Sequence, residues 1–350
     1  MFEITSTRHN ALVDPHLAGW TWEIALYLFV GGAVAGMMIL AGLAMLRIAR
    51  GEDSRSFASV QTPLLGFMLL NVGMLALLAD LSHRLYVWRI YLTFQYTSPM
   101  AWGSWMLLMV YAVLLVSALV GLTQSWPWLV RRLPVLQRAA DAITRHPRRL
   151  AALGVVNLLL GVGLGTYTGL LLSTMVARPL WNSAALPLLF LFSGLCAGSA
   201  MVYVAARLRG ERPPPQGLVG GALASLIQPL GAAMPPRPAL DGLIRANVGF
   251  LVGELILIGL FVLNLATSSA AHAHALELLT TGPFALKFWG VDVLLLLLVP
   301  LVAQLLMLAR RLPHTIVPAL MVMAGSFTLR WVMVNAGQMS QIVPVSVLSP

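Results

Sequence analysis

Charge is scarce in this chain of 350 residues: only 10% are Asp, Glu, Lys or Arg, against about 25% in soluble domains. With 59% hydrophobic residues and a mean hydropathy of +0.85, the composition excludes an ordinary soluble protein and a disordered one. Acid is scarcer than base, 12 Asp and Glu against 22 Lys and Arg. The net charge of +10 comes from that shortfall, and the composition argues against a nucleic-acid-binding role. A single cysteine, Cys196, excludes an internal disulfide. It also excludes an iron–sulfur cluster or a zinc site ligated by cysteines of this chain alone. No His falls in the middle of an apolar run, so a b-type haem held between two helices lacks axial ligands. His272 and His274 are too weak a pair to define a metal site. There is no glycine-rich phosphate loop and no Ser/His/Asp order that suggests nucleophilic catalysis.

Long apolar runs are what the chain does have. A bilayer-spanning helix needs about 20 mostly apolar residues. Eight stretches meet this, near 23–48, 60–82, 103–124, 150–173, 184–207, 246–267, 290–309 and 316–337. The expected fold is an all-α integral membrane protein with eight transmembrane helices. The longest connection, 208–245, is rich in Pro and Gly and reads as a cytoplasmic loop or interfacial segment. The first 20 residues are polar and mixed, so the first span is expected to be an uncleaved anchor.

The basic residues set an expected orientation. Sixteen of the 22 lie in or beside the connections after spans 1, 3, 5 and 7, and five on the other side (Arg8, Arg84, Arg89, Arg178, Lys287). The positive-inside rule then puts both termini outside the cytoplasm. The outer side also holds seven tryptophans, from Trp20 to Trp289, and the inner side only Trp126 and Trp128. That imbalance reads either as interfacial anchoring among lipid headgroups alone or as an outer rim that also meets a partner or a flat ligand.

Ionisable residues inside a bilayer are costly and mark cavities or partners. Glu23, Asp80, Asp292 and Arg330 are expected in the outer third. Glu254 is expected alone, about two turns from the cytoplasmic side. It reads either as a packed, hydrogen-bonded acid or as the end of a proton path. Glu23 and Tyr27 are four apart and share a helix face. Glycines recur at intervals of four at Gly32 and Gly36, at Gly161, Gly165 and Gly169, and at Gly194 and Gly198. Such spacing lets backbones approach closely, so spans 1, 4 and 5 are expected in a tight bundle.

Several motifs belong to the outer connections. They include Ala79–Arg84, then Thr97-Ser98-Pro99-Met100-Ala101-Trp102-Gly103-Ser104-Trp105. Gly165-Thr166-Tyr167-Thr168-Gly169 is followed by Arg178-Pro179-Leu180-Trp181-Asn182, and the C-terminal part carries Leu329-Arg330-Trp331 and Asn335-Ala336-Gly337-Gln338. Over essentially its whole length the chain resembles the polysulfide reductase membrane-subunit family (NrfD/PsrC type). The resemblance implies two four-helix bundles, over 23–173 and 174–350, behind a periplasmic tail at 1–22. It implies a bacterial inner-membrane anchor without a redox centre of its own, neither haem nor iron–sulfur cluster. It also implies a menaquinone or ubiquinone bound near the periplasmic face. The implied partners are an iron–sulfur subunit on that face and a molybdopterin catalytic subunit beyond it. By position, Tyr27, Tyr167, Asp80 and His83 would meet the quinone. Asp80, Glu23 and Arg330 would serve its chemistry. Trp102, Trp105, Arg178, Trp181 and Asn182 would lie under the iron–sulfur partner. Some members carry His where this chain has Tyr27.

Two other readings compete. A structural anchor with a degenerate site would lack bound quinone. A small-solute transporter would show paired, interrupted spans, and no matched pair is visible.

Overall fold

Within hydrocarbon every backbone N–H and C=O must bond inside its own segment, which favours helix wherever an apolar run is long enough. A computed structural model describes residues 20–52, 62–81, 83–125, 127–208 and 237–340. It has eight helices long and apolar enough to cross a membrane. They are α1 (Trp22–Ala49), α2 (Thr62–Asp80), α3 (Pro99–Ser125), α4 (Pro147–Ser173), α5 (Leu186–Leu208), α6 (Arg237–Ser268), α7 (Leu286–Leu308) and α8 (Val317–Met339). Among the described residues there is no strand. Short helices at Pro134–Thr144 and Ala270–Thr280 occupy two of the connections.

Local chemistry sets several boundaries. Gly51 takes a φ of 87° after α1, and the bonds Gly51 N–H to Ile48 O and Glu52 N–H to Arg47 O close the helix as a Schellman cap. Pro147 opens α4, where a missing N–H costs nothing. The Ser269 hydroxyl accepts from the His272 N–H and starts the helix at 270. Most spans match the expected ranges within a few residues. The exception is α6, whose first turns occupy 237–245, where a loop was expected. The expected tail, apart from its last residues, and the Pro/Gly-rich stretch 209–236 lie outside the described residues.

Eight passes bring the start of α1 and the end of α8 to one face, here called the terminal face. The other is the distal face. α1 packs against α2 and α4, and α3 touches α2 and α4. α5 packs against α6 and α8, and α7 touches α6 and α8. Contacts of α1 and α4 with α5, and of α1 with α8, join the two sets. In α1, 94% of the most apolar window is buried, against 28% in α6, so α1 is the central helix and α6 lies at the lipid boundary. The glycines explain how α1 reaches this position. A Cβ on Gly36 would run into the Gly194 carbonyl, and one on Gly161 would lie 2.9 Å from the Ala35 carbonyl. α4 is buried only along this glycine face; its other side is exposed.

Candidate functional site

At the terminal face α1 and α4 bring two tyrosines together. Tyr27 and Tyr167 are each 7% exposed and near enough to interact electrostatically, with Tyr91 of the α2–α3 connection beside Tyr27. Tyr167 lies flat against Gly103, where a Cβ would overlap its ring and hydroxyl. That contact explains a glycine between Trp102 and Ser104 at the start of α3. Gly73 of α2 packs against Val30 of α1, one turn from Tyr27. Asp80 ends α2, and its charge interacts with that of Glu23 in the first turn of α1. One Glu23 carboxylate oxygen is buried without a hydrogen-bond partner among the described residues. Beside Asp80 an open cleft of about 510 Å³ is lined by Asp80, His83, Arg84 and Tyr86. The Arg84 guanidinium donates to the Ala79 carbonyl at 2.8 Å and braces the cleft wall.

The aromatic rim divides into exposed and internal parts. Trp102 and Trp105 are exposed. The Trp102 indole donates to the Tyr96 carbonyl at 2.8 Å and meets Phe94 edge-on, which folds the α2–α3 connection over the start of α3. Trp181, expected under a partner, is instead 3% exposed. Its indole donates to the Met333 carbonyl at 2.7 Å, stacks on Trp20 and covers Gly337. Arg178 donates to the carbonyls of Gln338 and Ser340. The Gln338 amide bonds both the N–H and the C=O of Trp20. These residues form a clamp that ties the start of α1, the α4–α5 connection and the end of α8 together. The Asn182 carbonyl lies 3.2 Å from a His272 ring nitrogen, which adds the α6–α7 connection. Replacing Trp181 by Phe removes one buried hydrogen bond, worth about 1 kcal/mol. The expected result is a lower thermal midpoint with unchanged partner retention, read by thermal unfolding and co-purification.

Arg330 also departs from the expected outer position. It is 0% exposed, and all three guanidinium nitrogens are engaged. Nε donates to the Leu28 carbonyl, Nη1 to Ser193 Oγ and to Ser326, and Nη2 to the Phe190 carbonyl, at 2.6–3.0 Å. Gly32 leaves the space that the guanidinium fills. A side chain so enclosed joins α1, α5 and α8, and each of its three nitrogens already donates to the protein.

Glu254 is not isolated near the distal face. It is buried, and the charge of Arg330 acts on it. Asp292 interacts with both Glu254 and Arg330, so it belongs to this internal cluster and not to the rim with Glu23 and Asp80. The polar residues therefore form two groups where one outer layer was expected.

From the second group a polar chain runs toward the distal face. Asn247 donates to the Cys196 carbonyl and to Ser199, and Gln304 donates to Asn247, at 2.8–2.9 Å. These residues and Tyr203 line a cavity of about 10 Å³, about the size that one water needs. Tyr203 donates to the Thr315 carbonyl, Arg207 donates to the His314 carbonyl, and the His314 ring lies 3.3 Å from Asp241. Tyr91, Asn247 and Gln304 were missed from sequence, although two amides in the middle of apolar runs are a usable signal.

Eight apolar crossings around an internal polar network define a multi-pass membrane protein. The family model "Polysulphide reductase, NrfD" matches residues 12–342, and the chain belongs to that family. It is 28% identical over 331 residues to "Protein NrfD" of Escherichia coli, covering 92% of this chain and 95% of the relative. It is 29% identical over 333 residues to the C chain of the polysulfide reductase of Wolinella succinogenes, covering 91% and 94%. A match to the C subunit of the tetrathionate reductase of Salmonella typhimurium is 27% identical over 207 residues, covering 59% and 54%.

Proposed function

We propose that the chain is the quinone-reactive membrane subunit of a respiratory oxidoreductase. In this reading its terminal face is periplasmic and it lies in the bacterial inner membrane. The observation that carries the reading is that two buried phenols, Tyr27 and Tyr167, lie on the packed helices α1 and α4, with an open cleft at Asp80 and His83 on the same face. Phenols are neutral donors suited to a quinone carbonyl, and a carboxylate at the edge of a cleft passes protons to and from water. Quinol oxidation releases two electrons and two protons. The electrons need an acceptor, and the single cysteine of this chain cannot ligate a cluster alone. An iron–sulfur subunit over the exposed Trp102 and Trp105 supplies that acceptor, with a molybdopterin subunit beyond it. Arg178 and Asn182, in the α4–α5 connection, lie on the same face. The names of the relatives support the assembly, since two are designated as parts of reductases.

Within this reading Asp80 exchanges protons and Glu23 sets the charge beside it. Changing Asp80 to Asn is expected to slow quinol-linked turnover in the assembled complex while leaving assembly intact. Unaltered turnover would remove Asp80 from the site. Glu254 is read as the inner end of a proton route, supported by the hydrogen bond between Gln304 and Asn247 and by the water-sized cavity that both line with Tyr203. Unchanged proton release from vesicles carrying Glu254→Gln would remove that route.

A further inference from the structure

Polar atoms buried in a membrane protein need partners, and the partners fix which way each side chain is turned. One such group joins α5, α6 and α7: Ser199 is 1% exposed, Asn247 4% and Gln304 4%. Its hydrogen bonds can run in only one direction. The Cys196 carbonyl only accepts, so the Asn247 atom that faces it at 2.9 Å is the amide nitrogen. Ser199 gives its one hydrogen to carbonyls of its own helix, Leu195 at 2.7 Å and Cys196 at 3.2 Å. It therefore accepts from the same Asn247 nitrogen, at 2.8 Å. Both amide hydrogens of Asn247 are then used, and its carbonyl oxygen is left to accept from the Gln304 amide at 2.8 Å.

That order leaves Gln304 Oε1 at the end of the series. It is buried without a hydrogen-bond partner among the described residues. Gln304 lines the cavity of about 10 Å³ together with Ser199 and Tyr203, and Leu243 and Met307 are among its apolar walls. A wholly apolar cavity stays dry, whereas a polar one of this size takes a water that has about two to four polar neighbours. Here the neighbours are the Gln304 oxygen and the hydroxyls of Ser199 and Tyr203. The Tyr203 hydroxyl already donates to the Thr315 carbonyl at 3.3 Å, so toward the cavity it can only accept. The cavity thus presents acceptors and lacks a donor, and a water brings two.

We propose that this cavity is a binding site for one water, which donates to Gln304 Oε1 and to the Tyr203 hydroxyl oxygen. The same water is the proton carrier at this level of the protein. A carboxamide keeps its hydrogens on nitrogen and is neither acid nor base at neutral pH, so Asn247 and Gln304 position the water and pass no proton themselves. The water site rests on the hydrogen bonds and the cavity. Only the carrier role rests on the reading of Glu254 as the inner end of a proton route.

The test is a density map of the purified assembled complex at a resolution that shows ordered waters. One isolated peak is expected in the cavity at hydrogen-bond distance from Gln304 Oε1, and the variant Gln304→Met is expected to lose it. A wild-type map without the peak overturns the site with no variant needed. A peak that keeps its place in Gln304→Met overturns Gln304 as its holder. Proton release from vesicles tests the carrier role, and Gln304→Met is expected to lose it as Glu254→Gln does. Normal release in Gln304→Met where Glu254→Gln has lost it overturns that role. Normal release in both variants removes the proton route itself and leaves the water site to be decided by the map.

Discussion

Replacing Tyr167 by Phe is expected to lower quinol-linked turnover of the assembled complex by about 10- to 100-fold. The change is small in structural terms. The ring stays against Gly103, where a Cβ would overlap it, and only the hydroxyl is lost. A buried carbonyl left without its donor costs about 1–3 kcal/mol, and each 1.4 kcal/mol is a factor of ten. Tyr27 offers a second hydroxyl from α1, so the same change at Tyr27 is expected to have a smaller effect alone and to compound with Tyr167→Phe. Steady-state turnover with a soluble electron acceptor, normalised to complex that retains its partners, measures this. Turnover at the wild-type level would remove Tyr167 from the site.

Arg330→Met is expected to prevent accumulation of the chain in membranes. Methionine fills a similar shape but donates nothing. It leaves the carbonyls of Leu28 and Phe190 without that donor and removes the positive charge that faces Glu254. Breaking a buried charge pair costs about 3–5 kcal/mol, a large share of a typical folding free energy of about 5–15 kcal/mol. Arg330→Lys is not expected to rescue the chain, because one ammonium cannot reach acceptors on α1, α5 and α8 together. Adding Glu254→Gln to Arg330→Met is expected to recover part of the loss by removing the stranded carboxylate. Membrane content and the thermal midpoint in detergent are the readouts. A wild-type midpoint in Arg330→Lys would contradict the role of Arg330 as a strut.

The spans were legible because a bilayer demands about 20 apolar residues in a row, and such runs stand out in a chain with 10% charge. The close packing of α1 on α4 and α5 was legible for a related reason: glycines four apart have few other uses in a membrane helix. The position of Glu254 was not legible. The apolar run suggests a start near 246, but Asp241 and Arg245 lie in helix, and α6 begins at Arg237. Counted from there, Glu254 is about 25 Å into the helix at 1.5 Å per residue, which brings it to the level of Ser193 and Arg330. Trp181 failed for a different reason. Its motif lies in a connection, and whether such a loop faces outward depends on Trp20 and Gln338, remote in sequence. The phenol pair was visible as two residues, but their proximity depends on how α1 and α4 pack.

The central claim is a quinone site between Tyr27 and Tyr167 at the terminal face. Titration of the purified complex with a quinol-headgroup inhibitor tests it most directly. The expected result is saturable binding at one site per chain, weakened about tenfold or more in Tyr167→Phe, in line with the loss of one buried hydrogen bond. No saturable binding, or an identical Kd in the variant, would contradict it.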